Sequence, residues 1–434
     1  MTAIIFTLFF VFFVGTSVVP FLVNSKKTSF ITMISLFWIV GFGALGRQMF
    51  YYVILNIPWN ILYIILPWVI PFILSIRKLQ SESFTIPKFK GNIIEKILLA
   101  LILGLFLFTG IESIIRPLHT WDGWSSWLLR SKVYYYDKTV SPSYFHYALD
   151  EYPPVVPLVG TFFYEMNGGP NDRLALLLYF MSYTALGEIF YGATRIFLSQ
   201  KISLLFTFLL LSTQNIIRHG GRYEAGQGDL TVGLYIFTSC AILYQFTKDK
   251  SPKTLLLFLI LLAMTAQIKS DALPAIFLMV LLSFIFIIKN KLFSLIPFIA
   301  TTPLLLLPWE LFKMSNHLPR HLLFRQGFFF EPDRALIALT IMIKEFFNFQ
   351  NWSLLWIVLI IVVFLRFKKL KSIWIFALIL FLQWTAYFIV FLITPVDPTL
   401  HASNIINKLY LHIAPLAVFL IAFLTFNGSK KRGN

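Results

Sequence analysis

Residues 254–288 read TLLLFLILLAMTAQIKSDALPAIFLMVLLSFIFII. Two apolar runs flank one polar interruption, Lys269 and Asp271. Crossing roughly 30 Å of hydrocarbon takes about 20 apolar residues in a helix. Lipid offers no partner to a free backbone N–H or C=O, so such runs must be helical. The rest of the chain has the same character. Of its 434 residues 58% are hydrophobic and only 13% charged, and the mean hydropathy is +0.79. A soluble domain is about a quarter charged, so a soluble reading is excluded.

The pattern predicts an all-α polytopic membrane protein with about thirteen spans. They fall at roughly 3–23, 30–48, 51–76, 97–114, 172–197, 202–217, 229–246, 254–268, 272–288, 292–311, 352–366, 373–394 and 409–427. The first run is not preceded by basic residues, and its basic pair, Lys26 and Lys27, follows it. That favours an uncleaved helix with the N-terminus outside. Alternate loops then carry the basic clusters: Arg77 to Lys96, Lys201, Lys248 to Lys253, Lys289/Lys291 and Arg366 to Lys371. The tail adds Lys430, Lys431 and Arg432, so the C-terminus is expected in the cytoplasm. This is the positive-inside pattern. It accounts for the net charge of +17 without nucleic acid. Of nineteen acids, only Glu82, Glu95, Glu188 and Asp249 fall at or near the inner side. The lone cysteine, Cys240, excludes a disulfide framework.

Two outer loops are long, about 116–172 and 313–352. The first contains Trp121-Asp122-Gly123-Trp124-Ser125-Ser126-Trp127. Trp favours the membrane interface, so a helix over 121–135 is expected to lie flat on the outer leaflet. Asp122, Ser126 and Arg130 would share one face. Asp122 reads either as a helix cap or ion-pair partner of Arg130, or as a working carboxylate near hydrocarbon. Glu151-Tyr152-Pro153-Pro154 follows. The prolines start a new helix, and Glu151 at its N-terminus would complement the dipole.

Other outer ends are also polar. Arg218, His219, Arg222, Tyr223, Glu224 and Asp229 crowd a Gly-rich loop able to cradle a phosphate, although no Walker pattern is present. Lys269 and Asp271 read as a solvated hairpin tip or as an ammonium offered to an anionic head group. The second long loop holds His317, Arg320, His321 and Arg325, and the last outer loop Asp397, His401, Asn404 and Lys408. His317 and His321 have metal-pair spacing, but Pro319 intervenes and no third ligand is fixed. No metal is assigned. A divalent cation is compatible with the sequence but not implied by it. Cations and acids above an apolar body suit an amphiphile with its tail in the bilayer and an anionic head at the surface.

These residues resemble the membrane-embedded GT-C glycosyltransferases, the group of polyprenol-phosphate-sugar-dependent mannosyl- and aminoarabinose transferases. The likeness rests on Trp121-Asp122-Gly123-Trp124-Ser125-Ser126-Trp127, Glu151-Tyr152-Pro153-Pro154, Gly226-Gln227-Gly228-Asp229-Leu230, Lys269-Ser270-Asp271, and Thr394-Pro395-Val396-Asp397 with His401 and Lys408. It departs at Glu151, where Asp is expected, and at Lys408, where Arg is expected. It covers residues 97–434, with 1–96 as an N-terminal extension of about three helices. The resemblance implies a GT-C-like core in a bacterial inner membrane. It implies an inverting sugar transfer from a polyprenyl-phosphate donor to an envelope glycan, lipid or protein at the outer face. Asp122 would act as general base, with Glu151 as the second catalytic carboxylate. Lys269, Arg218, Arg222, Arg325 and Lys408 would face the donor phosphate, and Asp229, Asp271, Tyr152, His401 and Asp397 would complete the site. A transporter or flippase of a lipid-linked or anionic substrate is the alternative.

Overall fold

The computed structural model describes residues 1–23, 28–81, 89, 91–141, 151–318 and 332–427. No strand occurs among them. The chain is a multi-pass helical membrane protein. Ten described helices are long and apolar enough to cross a bilayer, and three apolar helices are shorter. The long ones are α1 (Thr2–Leu22), α2 (Phe30–Ile54), α3 (Ile61–Ser81), α4 (Ile93–Ile115), α7 (Asp172–Arg195), α10 (Asp229–Asp249), α12 (Leu273–Lys289), α13 (Thr301–Ser315), α17 (Trp374–Ile393) and α18 (Pro398–Phe426). Two of these gain span length from a 3₁₀ lead-in, Ser270–Ala272 before α12 and Phe293–Ala300 before α13. The shorter ones are α8 (Gln200–Leu211), α11 (Pro252–Ile268) and α16 (Leu355–Leu365). The remaining helices are α5 (Leu128–Asp137), α6 (Val155–Asn167), α9 (Gln214–Gly221), α14 (Pro332–Phe346) and α15 (Phe349–Trp352).

Without a hydrophobic drive in lipid, helices associate by close packing over small residues. In α1 and α2 the glycines are reciprocal. A Cβ on Gly15 would strike the Phe37 carbonyl, and one on Gly41 the Val11 carbonyl. The interior is built from α2, α7, α10 and α18. Of these α18 is the most enclosed, with 89% of its most apolar window buried. Helices α3, α4 and α13 turn most of their apolar surface outward, as a lipid-facing shell requires.

Four boundaries differ from the sequence reading for local reasons. The third helix starts at Ile61 and not near residue 51, because Pro58 interrupts the chain. There Trp59 Nε1 donates to the Met49 carbonyl and closes the turn. The run 202–217 divides at Ser212, so Arg218 and His219 stand on α9 and not in a loop. The expected flat helix 121–135 opens with a π-helical turn, Gly123–Trp127, before α5. The last helix starts at Pro398, eleven residues before the expected 409. Asp397 caps it by accepting from the Thr399 and Leu400 amides, at 2.8 and 3.1 Å.

Candidate functional site

One end of the bundle gathers acids and cations from segments far apart in sequence. The Gly-rich segment 222–228 packs on the Trp-rich turn. Gly226 has φ +101°, a left-handed value that favours glycine, and a Cβ there would meet Leu118 at 2.8 Å. A Cβ on Gly228 would touch the Trp127 ring. Gln227 donates to Thr120 Oγ1 at 2.6 Å. This contact fixes Asp122, which opens the turn, relative to Asp229, which opens α10.

Asp122 neither caps a helix nor pairs with Arg130. Its Oδ2 lies 2.5 Å from Lys408 Nζ on α18. Its Oδ1 has no partner among the described residues, and the side chain is 30% exposed. Arg130 instead donates to the Tyr134 hydroxyl and, at 2.7 Å, to the Tyr152 carbonyl.

Lys408 also acts electrostatically on Glu224 and Asp229. Asp229 is fully buried. It accepts from Lys269 Nζ at 2.7 Å, and its Oδ1 lies 3.1 Å from His412 Nε2. Lys269 also reaches Asp271 at 2.9 Å, and its Nζ lies 5.6 Å from the Tyr152 ring centre. Lys269 is therefore no hairpin-tip cation in solvent: it is 7% exposed and clamped between two carboxylates. Burial opposes its charge, but Asp229 and Asp271 outweigh that and hold the ammonium well above its ordinary pKa. Tyr152 stacks on Trp127, and its hydroxyl reaches Asp271 at 3.4 Å. Burial, then the charge of Asp271, push that phenol well above its usual range.

The neighbouring cations are braced individually. Arg218 donates to Tyr223 and to Asn351 Oδ1, at 2.5 and 2.7 Å, and Asn351 in turn donates to Glu345. Glu224 sits 2.9 Å from His219 Nε2 and 3.8 Å from Arg218. Burial would raise its pKa, but His219 and Arg218 hold it below the ordinary value. Arg222 turns to Glu112 on α4, which also binds Arg116.

The expected residues thus divide. Asp229, Lys269, Asp271 and Tyr152 form one bonded cluster, and the Asp122–Lys408 pair adjoins it through the charge of Lys408, with Arg218 beside them. Arg222 belongs to the Glu112 pair. Glu151 lies in the turn ahead of α6, four positions before its first residue, and not in its first turn. Asp397 is a helix cap, and the His401 ring stands edge-on to Phe391 at 5.6 Å. Arg325, His321 and Arg320 lie outside the described residues. No group of three or more His, Cys, Asp or Glu side chains able to hold a metal occurs among the described residues.

The sequence reading missed His412 and Tyr387. His412 Nδ1 lies 2.9 Å from the Tyr387 hydroxyl, so one buried imidazole joins Asp229 to a phenol. The available signal was the spacing of Asn404, Lys408 and His412, every four residues on one helical face. Two cavities, of about 670 and 310 Å³, open at the opposite, basic end around Trp374, Lys368, Lys371 and Lys289, away from this network.

Compared with known proteins, the chain matches no family model, no curated relative and no solved structure.

Proposed function

We propose that the chain is a GT-C-type glycosyltransferase. It moves a sugar from a polyprenyl-phosphate donor to an acceptor at the outer face of a bacterial inner membrane. In this reading α8, α11 and α16 also span, giving about thirteen crossings, with the N-terminus outside. The observation that carries the reading is the Asp122–Lys408 pair: a carboxylate with one oxygen open, beside cations, at the polar end of an apolar body.

In the transfer, the acceptor hydroxyl oxygen attacks the anomeric carbon. Asp122 Oδ1 takes its proton as the new glycosidic bond forms. The bond to the phosphate oxygen breaks, and that oxygen leaves with the electron pair. Inversion follows from attack opposite the leaving group. A phosphate leaving group needs cations more than a general acid, and Lys408 and Arg218 supply them. Lys269, committed to two carboxylates, positions Asp229 and Asp271 beneath the site. Glu151 stands in the same loop as a second carboxylate.

One observation favours a transporter or flippase instead. The chain Asp229–His412–Tyr387 is fully buried among spanning helices, and intramembrane ionisable chains mark proton and ion paths. Reconstitution into vesicles separates the two. With polyprenyl-phosphate sugar and an acceptor present, the transferase forms a new glycosidic bond. Movement of the labelled lipid across the membrane without that bond would identify a transporter.

A further inference from the structure

Lys408, Lys269, Arg218 and Arg222 each face a carboxylate; Arg47, on α2, does not. It is 6% exposed within a spanning helix. Its Nε and Nη2 donate to the Tyr51 hydroxyl, at 3.1 and 2.8 Å, and Nη2 also donates to the Leu305 carbonyl on α13. These partners are neutral. No acid pairs with it among the described residues, and its Nη1 is buried with no partner. A buried charge without a counter-ion is costly, and in a spanning helix the default expectation is a missing functional partner.

The surroundings say what that partner is. Gln267, two residues before Lys269, donates to the same Leu305 carbonyl at 3.1 Å, and its Oε1 is likewise buried without a partner. Helices α2 and α13 meet here through side chains: Phe50 lies edge-on to Trp309 and Phe312, at 5.7 and 5.4 Å. The far side of α13 is open to lipid, with Leu304 and Leu311 exposed by 62% and 54%. A ligand reaching Arg47 from that side would be an amphiphile with an anionic head. The planar guanidinium fork suits phosphate oxygens.

We infer that the seam between α2 and α13 holds the phosphate group of a membrane lipid, with Arg47 as its counter-cation. The site joins Arg47 of the segment 1–96 to Gln267 and α13, and does not depend on sugar transfer. The lipid tail lies along the exposed face of α13. Gln267 Oε1 accepts from a hydroxyl or a protonated phosphate oxygen. The phosphate belongs either to a glycerophospholipid or to a polyprenyl phosphate.

The test is lipid binding to the purified full chain in neutral detergent. The probes are radiolabelled phosphatidic acid, polyprenyl phosphate and diacylglycerol. The two phosphate lipids are compared to identify the source, and diacylglycerol serves as the uncharged control. At least one phosphate lipid should bind well above diacylglycerol. Arg47→Gln should weaken that binding by about ten-fold or more, the loss of a charge-assisted contact. Arg47→Lys, which keeps the charge and loses the fork, should lose less. If Arg47→Gln does not fold, a photoreactive analogue of the bound lipid on the wild-type chain replaces it. Crosslinks should map to residues 45–51 and 304–312. Equal binding of diacylglycerol, unchanged affinity in Arg47→Gln, or crosslinks confined to other segments would overturn the inference. None of these readouts requires sugar transfer, so failure here and failure of the transferase reading remain distinct.

Discussion

Lys408 Nζ and Asp122 Oδ2 lie 2.5 Å apart although 286 residues separate them in the chain. The contact joins the Trp-rich turn after α4 to the face of α18. It leaves one carboxylate oxygen open at the polar end of the bundle.

Lys408→Met should therefore cut transfer strongly, while Lys408→Arg should retain most of it. Arg keeps the charge and can hold both the carboxylate and a phosphate oxygen. Transfer rates in membranes carrying equal amounts of each variant measure this. Equal losses in the two variants would mean that the charge of residue 408 is not what matters.

The buried Lys269 clamp predicts a stability cycle. Lys269→Met leaves the buried Asp229 and the part-exposed Asp271 without their cation, and breaking a buried pair costs about 3–5 kcal/mol. Asp229→Asn combined with Lys269→Met should recover part of that loss. Thermal unfolding in detergent reads both. A double variant no better than additive would deny coupling between the two.

Glu224 predicts the acid side of the stability profile. Its pKa is depressed in the folded chain relative to the ordinary value of 4.5. A depressed carboxylate contributes stability that is fully present above the unfolded value and is lost as pH falls through the folded one. Glu224→Gln should accordingly flatten the fall in melting temperature below about pH 4.5. An unchanged acid limb would remove Glu224 from the account.

Gly226→Ala places a side chain at φ +101° and drives it into Leu118. Strain of this kind costs about 1–3 kcal/mol. The variant should melt earlier and lose activity, because it loosens the contact that sets Asp122 against Asp229. A variant with wild-type melting and activity would show that the contact is not tightly held.

Much of this architecture was legible. The apolar runs predicted helices whose ends mostly agree within a few residues, since a span is defined by composition over many positions. Lys269 was visible as a polar interruption of an apolar run, and Asp122, Asp229 and Lys408 as charged residues in the loops between runs. Their partners were not. Nothing local says that Asp122 meets Lys408 and not Arg130, because helix packing chooses between them. Lys269 read as a solvated hairpin tip or as an ammonium offered to a head group, because sequence gives the break in a run but not the depth to which it is buried. His412 and Arg47 escaped notice because each falls inside a stretch, 409–427 and 30–48, whose average composition already reads as a span.

The central claim is that Asp122 is the general base, and Asp122→Asn tests it most directly. Asparagine keeps the shape of the side chain but has no basic oxygen. The measurement is transfer from radiolabelled polyprenyl-phosphate sugar in membranes with matched protein levels, alongside donor binding to the purified variant. A positioned base contributes about 10²–10⁴-fold, so transfer should fall to about a hundredth or less while donor binding persists. Retention of more than about a tenth of the wild-type rate would contradict the assignment.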